Sequence, residues 1–218
     1  MPKNQHKPEF IKKIETSLGS KLPGSKAHDI MRVGPRIPLS INRFTKSPIA
    51  SSVLVLLFEE NNSFNFILTL RSKKVETHKG QISLPGGVQE KNESLKETAL
   101  REAEEEIGLD RNLVEILGSL DTTVSRYGIS VTPYVGIIPP NPNLDESSSE
   151  IESYFRVPIS YLANDIRHRN DKVTEGGETF YMPAYKYNEY IIWGLTAMIT
   201  VNFLRLGLDK EIDLSIPS

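Results

Sequence analysis

Three glutamates crowded onto one face of a helix constrain this chain more than any other feature. The run from Leu95 to Ile107 holds neither Gly nor Pro; Ser94 precedes it, with Glu97 three residues on, and Gly108 follows it. A Ser–Glu capping box opens a helix, and a Gly closes one. At about 100° per residue, Glu102, Glu105 and Glu106 then share an arc of about 100°. Glu104 falls away from them, and Ala99, Leu100, Ala103 and Ile107 form an apolar stripe alongside. Like charges three and four residues apart repel, and in the C-terminal half of a helix the macrodipole disfavours anions as well. Helix stability gives no reason to gather them there. A bound divalent cation does, and hard oxygen ligands of this kind suit Mg²⁺ or Mn²⁺. The competing reading is a solvated acidic face.

Composition narrows the alternatives. The chain has 218 residues, 38% of them apolar and 25% charged. One domain with a packed core is the default at that length and composition. The net charge of −2 does not suggest a nucleic-acid clamp. There is no Cys, which excludes thiol nucleophiles, Cys-ligated zinc and disulfides, and four His make a His-rich metal site improbable. No run approaches the roughly 18 apolar residues of a membrane span, and no secretory signal is evident, so a cytoplasmic location without membrane association is expected.

Along the chain, Phe10 to Leu18 has helical spacing, and residues 1–20 read as an N-terminal arm, helical or disordered. Residues 21–218 form the domain, beginning with a proline-containing irregular stretch. Ser51 to Phe58 and Phe64 to Leu70 read as a hairpin around the Glu60–Ser63 turn. Residues 72–93 read as a long loop. Leu113 to Leu120 and Ser130 to Ile138 read as strands, Pro139 to Ser149 as a loop, and Val157 to Ala163 as a short helix. Asp171 to Glu178 reads as a polar loop, Phe180 to Ile192 as two short strands, and Trp193 to Leu206 as a closing helix stopped by Gly207. Strands mixed with a few helices indicate an α/β or α+β layered fold.

The flanks of the acidic helix carry a resemblance. Gly87, Glu93, Arg101, Glu102, Glu105, Glu106 and Gly108 fall at the spacing of the Nudix box, G-x5-E-x7-R-E-U-x-E-E-x-G-U, with Ala103 and Leu109 at the apolar U positions. The chain thus resembles the Nudix hydrolases. The resemblance implies an α/β/α sandwich around a mixed β-sheet and metal-dependent hydrolysis of a diphosphate linked to a further group. It implies Glu102, Glu105 and Glu106 as ligands of Mg²⁺ or Mn²⁺, with a carboxylate of this cluster or of a later loop as base. Glu150, Glu152, Glu175 and Glu178 are candidates for the latter, each also readable as surface charge. Arg101 is implied to hold a carboxylate in place, with Glu93 its candidate partner; the alternative is a helix-surface pair with Glu97. The catalytic set is therefore Glu105, Glu106, Arg101 and Glu93.

Upstream, Ile67 to Ser72 and Thr77 to Gly87 resemble the signature of the coenzyme A diphosphatase branch, L-L-T-x-R-[SA]-x3-R-x3-G-x3-F-P-G-G. Arg71, Ser72, Gly80, Pro85, Gly86 and Gly87 match; Glu76 stands where the signature has Arg, and Leu84 where it has Phe. The segments Glu150 to Ile159 and Ile192 to Ala197 resemble the same branch. The substrate-binding residues implied are Arg71, Gly80, Gly86 and Gly87. Arg71 has a plain reading as a surface cation, His78 as a turn residue, and Trp193 as core packing. The substrate implied is coenzyme A or an acyl-coenzyme A, cut to 3′,5′-ADP and a 4′-phosphopantetheine. The alternatives are ADP-ribose, a dinucleoside polyphosphate or a nucleoside triphosphate, kept open by Glu76, and a non-catalytic nucleotide-binding module of the same fold. The partner expected is a small-molecule diphosphate; no nucleic acid is expected, and a homodimer is compatible with the chain.

Overall fold

The computed structural model describes residues 7–24, 48–72, 80–125, 128–145, 148–164, 171–175, 178–182 and 184–208. Its centre is β1 (Ile49–Glu60), where Val and Leu bury both faces. Leu54, Leu56 and Phe58 point to one side of the sheet, and Val55 and Leu57 to the other, as the two-residue period of a strand requires. β1 turns through Asn61 and Asn62, both at positive φ, into β2 (Ser63–Arg71). The two pair antiparallel, as the sequence indicates.

The stretch read as one long loop, 72–93, contains two short strands, β3 (Ile82–Ser83) and β4 (Gly86–Val88). β3 pairs with β2, and β4 with the start of β1. Two- and three-residue strands carry no periodicity, and only their neighbours define them. Next come α2 (Leu95–Ile107), a 3-10 turn at Arg111–Leu113, β5 (Glu115–Ser119), β6 (Thr123–Val124) and β7 (Ile129–Ile137). β1 and β7 run parallel and the remaining pairs of this sheet antiparallel, so the sheet is mixed. Its order is β3-β2-β1-β7-β5, with β8 (Ile151–Pro158) on β2. Val157 and Pro158, expected in a helix, end β8; α3 (Ile159–Asn164) starts after them.

The polar stretch after residue 170 is not a loop. Its backbone forms a hairpin of β9 (Asp171–Glu175) and β10 (Glu178–Met182). A second hairpin follows, β11 (Tyr185–Tyr187) with β12 (Tyr190–Ile192), giving three strands where two were expected. The closing helix α4 runs Gly194–Leu208, through Gly207 rather than ending at it. Trp193, expected in the core, is half-buried ahead of α4.

Helices lie on both faces of the sheet. Ala99, Ala103 and Ile107 of α2 pack on Leu54, Leu56, Phe58 and Ile67. The N-terminal segment is a helix, α1 (Glu9–Leu18), and it joins the opposite layer with α4. Ile11 and Ile14 are fully buried with Val55, Leu57, Phe66 and Phe203. Phe10 meets Phe64 with ring centroids 4.8 Å apart, and Lys7 pairs with Glu115 of β5 at 2.6 Å. The result is the α/β/α sandwich around a mixed sheet. Among the described residues, no helix is long and apolar enough to cross a membrane.

Candidate active site

The site grows from the start of α2. Ser94 Oγ accepts from the Glu97 backbone N–H at 3.3 Å, and Glu97 Oε2 accepts from the Ser94 N–H at 2.7 Å. This reciprocal box consumes Glu97, so Arg101 is not its partner. Just upstream, Glu93 is held by a turn: its Oε1 accepts from the Glu90 N–H at 2.8 Å and from Thr98 Oγ1 at 2.9 Å.

Arg101 grips that fixed carboxylate with two prongs. Its Nε donates to Glu93 Oε2 at 3.1 Å and its Nη2 to Glu93 Oε1 at 2.9 Å. Fork geometry of this kind is both strong and directional. The Arg101 guanidinium holds Glu93 down at a pKa of about 2, and Glu93 in turn raises Arg101. The remaining prong, Nη1, lies 3.0 Å from both Glu102 Oε1 and Glu105 Oε2. Glu93 and Arg101 thus form a brace that fixes two of the three clustered carboxylates.

Glu106 faces inward. It is only 3% exposed. The Gly86 N–H donates to its Oε2 at 3.3 Å, and Arg71 Nη1 stands 3.8 Å from Oε1, beyond hydrogen-bonding reach. Burial pushes its carboxyl up to about 8, only partly opposed by Arg71. Burial also raises Glu102, against the pull of Arg101, and the charge on Glu150 adds to both shifts. Glu105 is exposed. Glu104 points away, as the helical wheel indicates, and pairs with Arg111.

The two glycines of the loop make room for these carboxylates. A Cβ on Gly87 would land on the Glu102 carboxylate, and one on Gly86 on the backbone of Ser52 and Val53. Ser51 Oγ donates to the Gly87 carbonyl at 2.6 Å, and Leu54 N–H to the Pro85 carbonyl at 2.8 Å, fastening the loop to β1. Gly80 is itself exposed, just ahead of β3, with its N–H on the Arg71 carbonyl at 3.1 Å.

Arg71 reaches the cluster through an irregularity. The β2–β8 register shifts between Leu70 and Arg71, a device that re-aims side chains at sheet ends. Its Nη2 lies 3.5 Å from Glu150 Oε2. Of the later-loop carboxylates, Glu150 is the one joined to this corner; Glu152 is exposed on β8, and the side chains of Glu175 and Glu178 lie outside the described residues, as do Glu76, His78 and Lys79. Sequence reasoning missed Thr98, which is fully buried beneath Glu93; a lone Thr within a helix gives no signal.

Among the described residues, no group of three or more His, Cys, Asp or Glu is gathered closely enough to hold a metal ion. Arg101 takes up Glu105, while Glu106 turns to Gly86. The donor set nevertheless suits a divalent cation. Glu106 is a buried carboxylate that Arg71 approaches only to 3.8 Å, beside a second desolvated carboxylate, Glu102, and a poorly compensated buried charge is costly.

Comparison with known proteins gives the family. The NUDIX domain model matches residues 48–175. The chain is 36% identical over 187 residues to Nudix hydrolase 15, mitochondrial, of Arabidopsis thaliana, covering 79% of this chain and 64% of the plant protein. It is 39% identical over 134 residues to an uncharacterized Nudix hydrolase, NudL, of Photorhabdus laumondii, covering 61% of this chain and 72% of the bacterial protein. The fold is similar to that of a MutT/nudix family protein from Enterococcus faecalis, with a TM-score of 0.50 at 16% identity over 94% of this chain and 76% of that one. With the family model spanning more than half its length and the box residues braced around one carboxylate corner, the chain belongs to the Nudix hydrolase family.

Proposed function

We propose that this chain hydrolyses the diphosphate bond of a nucleoside diphosphate derivative, using Mg²⁺ or Mn²⁺ held by Glu102, Glu105 and Glu106. The observation that carries the reading is the buried, charge-starved carboxylate of Glu106 beside Glu102, next to a loop whose glycines bring backbone close. A bound divalent cation supplies neutralisation of the phosphate oxygens and acidification of water. The chain's own residues do the rest. Glu93 and Arg101 orient Glu102 and Glu105, as outer-shell partners orient ligands elsewhere. A carboxylate of this cluster, or one from a later loop such as Glu150, takes the proton from water. Arg71 faces an anionic phosphate oxygen, and Gly86 and Gly87 let the substrate approach the backbone. Gly80, through its N–H on the Arg71 carbonyl, helps to hold the backbone of Arg71.

The substrate assigned first by the sequence is coenzyme A or an acyl-coenzyme A. It is supported by the segment from Ile67 to Gly87, in which Arg71 and Gly86 both approach Glu106. A second reading, cleavage of ADP-ribose, a dinucleoside polyphosphate or a nucleoside triphosphate, is favoured by Glu76, which reverses a charge in that segment. Mass spectrometry of products separates them. Coenzyme A, ADP-ribose and a diadenosine polyphosphate are incubated separately with the protein and Mg²⁺ or Mn²⁺. Release of 3′,5′-ADP from coenzyme A, faster than any other cleavage, supports the first reading. Cleavage of the other substrates alone supports the second. Silence toward all of them with Mn²⁺ present refutes both and leaves a binding module.

A further inference from the structure

Arg71 is a cation with poor partners. Its Nη2 contact to Glu150 is 3.5 Å long and its Nη1 contact to Glu106 is 3.8 Å. Its Nε is buried and has no hydrogen-bond partner among the described residues. Good guanidinium–carboxylate pairs close to about 2.7–2.9 Å, so neither carboxylate satisfies this arginine. The two differ in exposure. The Glu106 side chain is 4% exposed and packed in place, whereas that of Glu150 is 60% exposed. Glu150 is nonetheless anchored by its backbone: its carbonyl accepts from the Ser72 N–H at 2.8 Å, and its N–H donates to Ser148 Oγ at 3.1 Å. An anchored backbone with an exposed carboxylate keeps that carboxylate within reach of Arg71 while letting it swing into water at little cost.

We infer that Glu150 is a displaceable counter-ion of Arg71, an internal competitor that a substrate phosphate must replace. The inference rests on the diphosphatase reading above and adds a specificity role to it. A ligand offering two phosphate oxygens in fork geometry displaces Glu150 by making short bonds where Glu150 makes a long one. A ligand with one weak acceptor does not, and Glu150 stays. Glu150 thereby discriminates against weak anions, a case of selectivity through a competing contact.

The test is calorimetric binding of α,β-methylene-ADP, a non-hydrolysable diphosphate, in EDTA, to wild type, Glu150→Gln, Arg71→Gln and the double variant. Exposed pairs are worth up to about fivefold in an equilibrium constant. Glu150→Gln is expected to tighten binding about two- to fivefold, and this gain is expected to vanish when Arg71 is Gln. A gain of equal size in both backgrounds overturns the inference, because it reports plain repulsion of the ligand by Glu150. Unchanged or weaker binding by Glu150→Gln overturns it, as does absence of binding by every form, which removes Arg71 as a diphosphate contact. A kcat that falls about a hundredfold in Glu150→Gln with binding unmoved also overturns it, and makes Glu150 a proton-transfer group instead. Binding that follows the expected pattern in a protein hydrolysing no diphosphate upholds the counter-ion role and refutes the diphosphatase reading alone.

Discussion

Replacing Glu106 with Gln isolates the charge that the fold buries. In the folded chain this carboxyl titrates at about 8, against an ordinary value of 4.5. Folding therefore strengthens its hold on a proton. The stability that it contributes is fully present below about pH 4.5 and is lost as pH rises through 8. At about 1.4 kcal/mol per pH unit, this group alone withdraws on the order of 3–5 kcal/mol across that window. For a chain of this length that is a fall in Tm of about 10 °C. Glu93, held at about 2 by Arg101, loses its contribution only in stronger acid, so a scan from pH 5 to 9 leaves it ionised. The assay is thermal unfolding in EDTA across that range. Glu106→Gln, a permanent analogue of the neutral carboxyl, is expected to match wild type at pH 5 and to exceed it by several degrees at pH 9. Adding Mn²⁺ at pH 8 to a hundred times its Kd is expected to stabilise wild type by about 2.7 kcal/mol and the Gln variant far less. Parallel Tm–pH curves for the two proteins would refute the buried-charge reasoning, whatever the activity of the variant.

Four further substitutions separate the roles of individual residues. Gly87→Ala drives a methyl onto the Glu102 carboxylate, a flexible group, so turnover is expected to fall at least tenfold with a small change in Tm; Gly86→Ala meets rigid backbone and is expected to cost about 3 kcal/mol of stability. Glu104→Gln breaks an exposed pair with Arg111 and is expected to leave turnover unchanged and stability within about 1 kcal/mol; a large loss of turnover there would refute the assignment of helix faces. Ile14→Ala empties a fully buried position beneath the sheet and is expected to destabilise by about 2–5 kcal/mol in chemical denaturation without altering KM.

The acidic helix α2 could be read directly from the chain, because its information is local. Capping, period and stop lie within fifteen consecutive residues, Ser94 to Gly108, and all three appear in the fold. The same wheel that turns Glu104 away from its neighbours buries Ala103 and Ile107. The β1–β2 hairpin was equally legible, since its turn and its two apolar runs are adjacent. The Glu93–Arg101 pair is suggested by the box, but spacing alone leaves it open. Helical spacing equally allowed Glu97, and the capping box decides the matter by occupying it.

Other features depend on partners far along the chain. Residues 9–18 have only an amphipathic pattern; that they form a layer follows from the sheet face and from α4 at the far end of the described chain. The short strands β3 and β4 exist because β2 and β1 offer them edges. The burial that lifts Glu106, and the register shift that aims Arg71 at it, both arise where β2, β8 and α2 converge. The sequence by itself determined which carboxylates share one face of α2, because spacing along one helix is a local property. Only the tertiary structure decided which carboxylate is desolvated and that Arg71 meets Glu106 and Glu150 only at long range, because desolvation and distance are properties of packed surfaces.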